Sequence, residues 1–222
     1  FAEAGRDFRV MADVQATGNF YPLSNLQLTV PVLAGPAVAW RAVTATRRRP
    51  DEPFILGIKA EDGWGNPTAP APCRVEITSS APVEGLPEFV DFDGTQQAIT
   101  IENIRCTAPG RVLFSLAVKG HPIATAGPVV IADGGLAGYW GDLHCQSGET
   151  VGIGRIEDYM NFARNKAFLD VVCHQGNDFQ IKDSFWKHLN DVTADWNEPG
   201  RFTTFPGYEW SGNTAVGGDR NV

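Results

Sequence analysis

Five polar residues have the chemistry of metal ligands, and each lies at or just after the end of an expected strand. Asp142, His144 and Gln146 occupy alternate positions at the end of the first strand, so an extended chain directs all three side chains to one side. His174 ends the second strand and Glu209 follows the third. Because the carboxyl ends of parallel strands meet at one edge of a sheet, these side chains should converge. Neutral imidazole and carboxylate groups suit zinc, manganese or iron, so the pattern predicts a divalent-metal site.

The elements that must position these residues alternate between strand and helix. Residues 155–167 place apolar side chains at helical spacing, and residues 168–173 form an apolar strand. A second helix is expected to begin with Asp183 as its N-cap and to end at Pro199-Gly200, before a strand over 201–205. This βαβαβ order implies parallel strands joined by right-handed crossovers. Three strands cannot close a barrel, so the remainder should come from a missing C-terminal part or from another chain.

The preceding residues predict β structure. Short β-rich runs lie between Pro- and Gly-containing turns, which is typical of an immunoglobulin-like sandwich over 35–132. Residues 1–34 are interpreted as the tail of an earlier β segment, and 133–138 as a linker to the α/β part at 139–222. The strands are expected within the following runs: 54–60, 74–78, 98–101, 111–118 and 128–131.

Composition excludes some partners. The 222 residues carry a formal net charge of −8, which argues against nucleic acid as the main partner because phosphate binding needs a basic face. No run approaches the ~18–20 apolar residues of a membrane span. No signal peptide or Asn-x-Ser/Thr acceptor is visible, and four cysteines without a CxxC spacing do not make a disulfide framework. These features favour a reducing, cytoplasmic compartment.

Three motifs resemble those of the PHP (polymerase and histidinol phosphatase) superfamily. GDLHCQS at 141–147 is similar to the superfamily's first motif, and VCH at 172–174 lies where it carries Thr-Asp-His. FPGYEWS at 205–211 resembles the strand that supplies a bridging glutamate, and GGDRNV follows at 217–222. The likeness is to an uncharacterised bacterial branch with Ig-like segments before the domain. It implies a distorted (β/α) barrel, related to TIM barrels, that holds two or three divalent metal ions.

The resemblance also implies roles for individual residues. His144 and His174 would be metal ligands, and Glu209 would bridge two metals and act in catalysis. Asp142 would be a ligand or would orient His144. Gln146 replaces a histidine of the superfamily pattern and is a weaker ligand.

Three further positions complete the expected site. Asp219 stands where the branch often has histidine, and its carboxylate could serve as an oxygen ligand. Cys173 replaces an aspartate and could be a zinc ligand or a small core residue. Arg220 is the nearest basic group that could hold an anionic substrate, and an ordinary ion pair is the alternative for it.

The expected activity is hydrolysis of a small ester by metal-activated water. Phosphoesters are the usual substrates in the superfamily that the motifs resemble. Two alternatives stay open: hydrolysis of carboxyl esters or amides by the same chemistry, and a catalytically inactive binding or structural module.

Overall fold

A β-sandwich forms the larger folded part of the protein. The computed structural model describes residues 3–23, 28–212 and 218–222; Gly217 and parts of the predicted N-terminal segment lie outside them. One sheet has three antiparallel strands in the order β10-β7-β5. The other has five, in the order β6-β12-β11-β8-β9. The strands are β5 (Ala39–Thr44), β6 (Arg47–Arg48), β7 (Phe54–Glu61), β8 (Cys73–Ser79), β9 (Phe89–Phe92), β10 (Ala98–Ile104), β11 (Gly110–Val118) and β12 (His121–Ile131).

Alternating side chains build the core of this sandwich. In β8, Val75 and Ile77 are buried between exposed neighbours, and in β11 Val112, Phe114 and Leu116 follow the same period. Two facing sheets bury these alternate positions against each other. All five strands expected from the sequence are present, and the β-sandwich is confirmed.

Four N-terminal strands lie outside the sandwich sheets. They form two antiparallel pairs, β1 with β4 and β2 with β3. Their bounds are β1 (Glu3–Phe8), β2 (Met11–Ala12), β3 (Tyr21–Pro22) and β4 (Leu28–Val32).

A parallel sheet with two helices follows the sandwich. Its strand order is β13-β14-β16, and both pairings are parallel, as the sequence predicts. Helices α1 and α2 pack on it and bury Met160, Leu189 and Phe202 at their contact with the sheet. The elements are β13 (Gly141–Cys145), α1 (Ile156–Asn165), β14 (Val171–His174), α2 (Asp183–Trp196) and β16 (Thr203–Phe205).

A second small sheet continues the first. Strands β14 and β16 break for one and two residues and resume as β15 (Gly176–Asn177) and β17 (Tyr208–Trp210), and β18 (Arg220–Asn221) pairs antiparallel with β17. Gly207 occupies the break between β16 and β17. A Cβ there would lie 2.5 Å from Gln175 Nε2 and 2.6 Å from Cys173 Sγ, so only glycine allows the chain to pass this closely.

The sandwich and the parallel sheet contact each other directly. The ring of Phe168 lies against Gly57 of β7, where a Cβ would be 2.5 Å from the ring. Phe168 is buried and has a φ of 58°, which is rare for a bulky residue and is maintained here by the surrounding packing. Lys166 Nζ also donates to Gln97 Oε1 over 2.6 Å.

Two expectations about the second part need correction. The described residues form two small three-stranded sheets in place of the first part of a distorted barrel, and β18 pairs antiparallel with β17. Asp183 is the first residue of α2 and Lys182 is its N-cap, since Lys182 has the extended backbone of that position. The domain boundaries at 34, 132 and 138 stay predictions. No helix among the described residues is long and apolar enough to span a membrane.

Candidate functional site

Glu209 is the buried carboxylate around which the candidate site is built. It is the central residue of β17, and its register partner Asn177 on β15 lies on the same face. Its Oε2 accepts hydrogen bonds from Asn177 Nδ2 at 2.8 Å and from Gln146 Nε2 at 3.1 Å. These two amides hold one oxygen of the carboxylate and leave Oε1 free of amide donors.

The orientation of Gln146 is set by the loop that follows it. Its Oε1 accepts from Thr150 Oγ1 at 3.0 Å and from the Val151 N–H at 3.4 Å. The amide nitrogen is therefore directed at Glu209. In this arrangement Gln146 donates to the carboxylate, and its oxygen, the atom predicted to bind metal, is already occupied.

Strand β18 places an asparagine beside Glu209. Tyr208 and Val222 exchange two backbone hydrogen bonds, of 3.1 and 2.9 Å, so the next pair, Glu209 and Asn221, is a close pair without backbone bonds. Asn221 Nδ2 donates to the Leu143 carbonyl at 2.9 Å. Its Oδ1 is therefore an acceptor, and it lies 2.9 Å from His144 Nδ1.

This contact determines the tautomer of His144. Because Asn221 Oδ1 can only accept, Nδ1 carries a proton, so in the neutral imidazole Nε2 has an unshared electron pair. Nε2 lies 3.6 Å from Glu209 Oε1. Two electron-pair donors thus face each other at the end of β13, with the imidazole half-exposed (56%) and the carboxylate nearly buried (10%).

His174, like His144, lies near the end of a parallel strand, but its surroundings are different. Its ring is fully buried, Nδ1 accepts the Gly176 N–H at 3.2 Å, and Nε2 lies 2.9 Å from Ser147 Oγ. Since Nδ1 accepts, Nε2 carries the proton and donates to Ser147. Burial lowers the pKa of His174 to about 4. Both nitrogens have protein partners, so His174 neither activates Ser147 as a base nor presents a free electron pair to a metal in this arrangement.

The remaining candidates near the strand ends also bind protein groups. Asp142 Oδ1 accepts the His144 N–H at 3.0 Å and so orients the backbone of that residue. Burial raises the pKa of the Cys173 thiol and raises that of Cys145 to about 12, which disfavours the thiolate that zinc requires. Gln175 Nε2 lies 2.9 Å from Cys173 Sγ. All four cysteines are free thiols.

Arg220 lies on the other face of its strand from the site. It is paired with Trp210, and its guanidinium carbon lies 5.8 Å from the centroid of that ring. Side chains alternate along a strand, so Arg220 is directed away from Glu209 and Asn221. Asp219 is exposed just before β18. Within the described ranges, no three His, Cys, Asp or Glu side chains lie close enough together to hold a metal.

The structure thus brings together His144, Glu209 and Gln146 of the predicted set and adds Asn221. An asparagine has no reactive group, so its type gave no signal of this role. Its only sequence-level mark is its place in the segment 217–222.

Residues 139–222 match a family model described as a protein of unknown function (DUF3604). An uncharacterised protein of Chlamydia pneumoniae is 25% identical over 177 residues, which cover 76% of this chain and 28% of that protein. The chain therefore spans little more than a quarter of that relative's length.

Three solved structures are distantly similar to this chain. A glycosyl hydrolase family 2 member from Bacteroides cellulosilyticus is 16% identical, with 49% of this chain and 16% of that chain covered and a TM-score of 0.36. Domains 4–9 of the surface layer protein SbsC are 18% identical, with 50% and 16% covered and a TM-score of 0.31. PhoD is 10% identical, with 76% and 38% covered and a TM-score of 0.26. These values are too low to establish a shared fold or function.

The resemblance to the PHP superfamily is wrong. The family model that matches 139–222 is DUF3604, and no PHP family matches. The short motifs misled because Asp, His and Glu at strand ends are common to many sites. Their spacing does not reveal that His174 is bonded through both nitrogens.

Proposed function

We propose that this protein is a metal-dependent hydrolase of esters, with the site at His144 and Glu209 and with an immunoglobulin-like sandwich supporting it. Phosphoesters are the first substrate class to test, and carboxyl esters or amides are the alternative. The observation that carries the proposal is the 3.6 Å separation of His144 Nε2 and Glu209 Oε1, two electron-pair donors directed at each other.

Two such atoms repel unless a cation lies between them. A separation of 3.6 Å exceeds the ~2.7–3.2 Å of an N–H···O hydrogen bond, so a shared proton fits poorly. Two ligands of one tetrahedral ion, with bonds of about 2.0–2.1 Å, lie about 3.4 Å apart. A divalent metal such as zinc or manganese therefore fits the pair.

The residues of the chain would prepare this site in three ways. Gln146 and Asn177 hold Glu209 Oε2, so the carboxylate offers Oε1 alone. Asn221 holds His144 Nδ1–H, which directs Nε2 to the same place. The half-exposed imidazole leaves the site open to water and substrate. When bound, a divalent metal supplies an acidified water and stabilises negative charge on an oxygen.

Metal titration tests the proposal. Purified protein, freed of metal with a chelator, is titrated with zinc and with manganese by calorimetry. About one equivalent should bind, and His144→Gln should weaken binding at least tenfold. His188→Gln is the matched control, because His188 is also half-exposed and lies 3.0 Å from a carboxylate, that of Glu157, away from the site.

Activity is tested with the same variants. Nitrophenyl esters of phosphate and of acetate separate phosphoester from carboxyl-ester hydrolysis, and loss of turnover on chelation should accompany loss of metal. Failure of the unsubstituted protein to bind either metal would refute the proposed function, as would equal binding by His144→Gln.

A further inference from the structure

Asn221 is the one residue of β18 that bonds to the end of β13 through its side chain among those the structure describes. Its amide makes two hydrogen bonds there. Nδ2 donates to the Leu143 carbonyl, and Oδ1 accepts from His144 Nδ1, each over 2.9 Å. The Leu143 contact prevents the amide from turning over, because a reversed amide would place oxygen against oxygen. The direction of the His144 bond is therefore fixed by the protein.

We infer that Asn221 is a positioning residue that decides whether His144 can accept a cation. The inference rests on the proposed function. With the proton on Nδ1, as here, Nε2 and Glu209 Oε1 both offer electron pairs and leave room for a positive ion. With the proton on Nε2, the imidazole would donate to Glu209 Oε1, and the two groups would satisfy each other without any cation.

The second arrangement is close to the first. Shortening the present 3.6 Å separation by about half an ångström would complete a hydrogen bond, and a small rotation of the half-exposed imidazole provides that movement. Glu209 has less freedom, since Asn177 and Gln146 hold its other oxygen. Asn221 thus prevents His144 from blocking the carboxylate.

The position of Asn221 makes the site depend on the pairing of β18. The two backbone hydrogen bonds between Tyr208 and Val222 bring Asn221 opposite Glu209. Asn221 lies 77 residues after His144 in sequence, so the Nδ1–H tautomer of His144 depends on the pairing of β18 with β17.

The test compares Asn221→Leu, which removes both hydrogen bonds at similar size, with Asn221→Asp, which keeps the acceptor. Asn190→Leu is the control, because it also removes a bond from an amide to a backbone carbonyl, that of Trp186, on α2. The tautomer of His144 is read from the ¹⁵N chemical shifts of the ring in metal-free protein, which distinguish a protonated from an unprotonated ring nitrogen. Zinc affinity is measured on the same samples.

The unsubstituted protein should show His144 protonated on Nδ1. Asn221→Leu should move the proton to Nε2 and weaken zinc binding about 10- to 100-fold, whereas Asn221→Asp should keep the Nδ1 proton and bind zinc more tightly than Asn221→Leu. The inference is overturned if Asn221→Leu keeps the Nδ1 proton, or if it weakens zinc binding no more than Asn190→Leu does. Because the tautomer is read without metal, absence of zinc binding in the unsubstituted protein would refute the proposed function and leave the role of Asn221 to be decided by the tautomer.

Discussion

Because the imidazole of His174 is buried, we expect the protein to lose stability as the pH falls from about 6.5 to about 4. The pKa is 6.5 for a free imidazole and about 4 in the folded protein, where burial disfavours the charged ring. Between these values the unfolded chain binds a proton at His174 that the folded chain does not, so the free energy of unfolding decreases with falling pH. The difference between these two pKa values corresponds to about 3 kcal/mol lost by pH 4, where the ring in the folded protein is itself half protonated.

The loss has a structural reason. Protonation of Nδ1 would place an N–H against the Gly176 N–H that now donates to it, over 3.2 Å. A doubly protonated ring therefore costs a backbone hydrogen bond as well as the burial of a charge. Above about pH 6.5 the ring is neutral in both states, and His174 contributes no pH dependence.

The free energy of unfolding is measured in urea, and unfolding is monitored by hydrogen exchange of peptides from 139–212. Carboxyl groups also titrate near pH 4, so the comparison is with His174→Asn, which lacks the imidazole, and with His188→Asn, which lacks an exposed one. The difference in unfolding free energy between the unsubstituted protein and His174→Asn should shrink by about 3 kcal/mol from pH 7 to pH 4. A constant difference would contradict the argument. So would an NMR titration of the unsubstituted protein in which the His174 ring protonates near pH 6.5, a measurement that does not depend on the variant folding.

Three further outcomes are expected. Gly207→Ala should destabilise the protein by about 1–3 kcal/mol, because the added Cβ meets Gln175, Cys173 and the Val222 carbonyl. Gly63→Ala is the control, since its Cβ meets nothing within 4 Å, and it should change the unfolding free energy by less than about 0.5 kcal/mol. Equal effects of the two substitutions in denaturant unfolding would contradict this. Gly57→Ala should cost about 1–3 kcal/mol by its clash with the Phe168 ring, and it should cost less when combined with Phe168→Leu; a double-mutant cycle without coupling would show that this contact is not tight. Cys145 is partly buried, and desolvation raises the pKa of its thiol to about 12. It should therefore react with iodoacetamide at about pH 8 at least tenfold more slowly than a free cysteine, as measured by mass spectrometry of the labelled peptides. Labelling at the rate of a free thiol would refute the raised pKa.

Much of the fold follows from local patterns. The period-two alternation of 74–78 and the helical spacing of 155–167 predict a strand and a helix that are observed, because a strand or helix must direct its apolar side chains to one face. The parallel order of β13, β14 and β16 follows from the alternation of strand and helix, since a helix between two strands returns the chain to the same end of the sheet.

The sequence by itself also indicated candidate cation ligands, because Asp, His, Gln and Glu side chains with the required electron pairs stand at expected strand ends. Tertiary structure alone decided which of them face each other. His144 and His174 both lie near the ends of parallel strands. Asn221 leaves one ring nitrogen of His144 free, whereas Gly176 and Ser147 occupy both nitrogens of His174. The orientation of Arg220 away from the site likewise depends on the register of β18 against β17. These differences arise from contacts between segments that are distant in the chain. The type and spacing of the residues do not indicate the direction of such a hydrogen bond or which face of a strand lies toward the site.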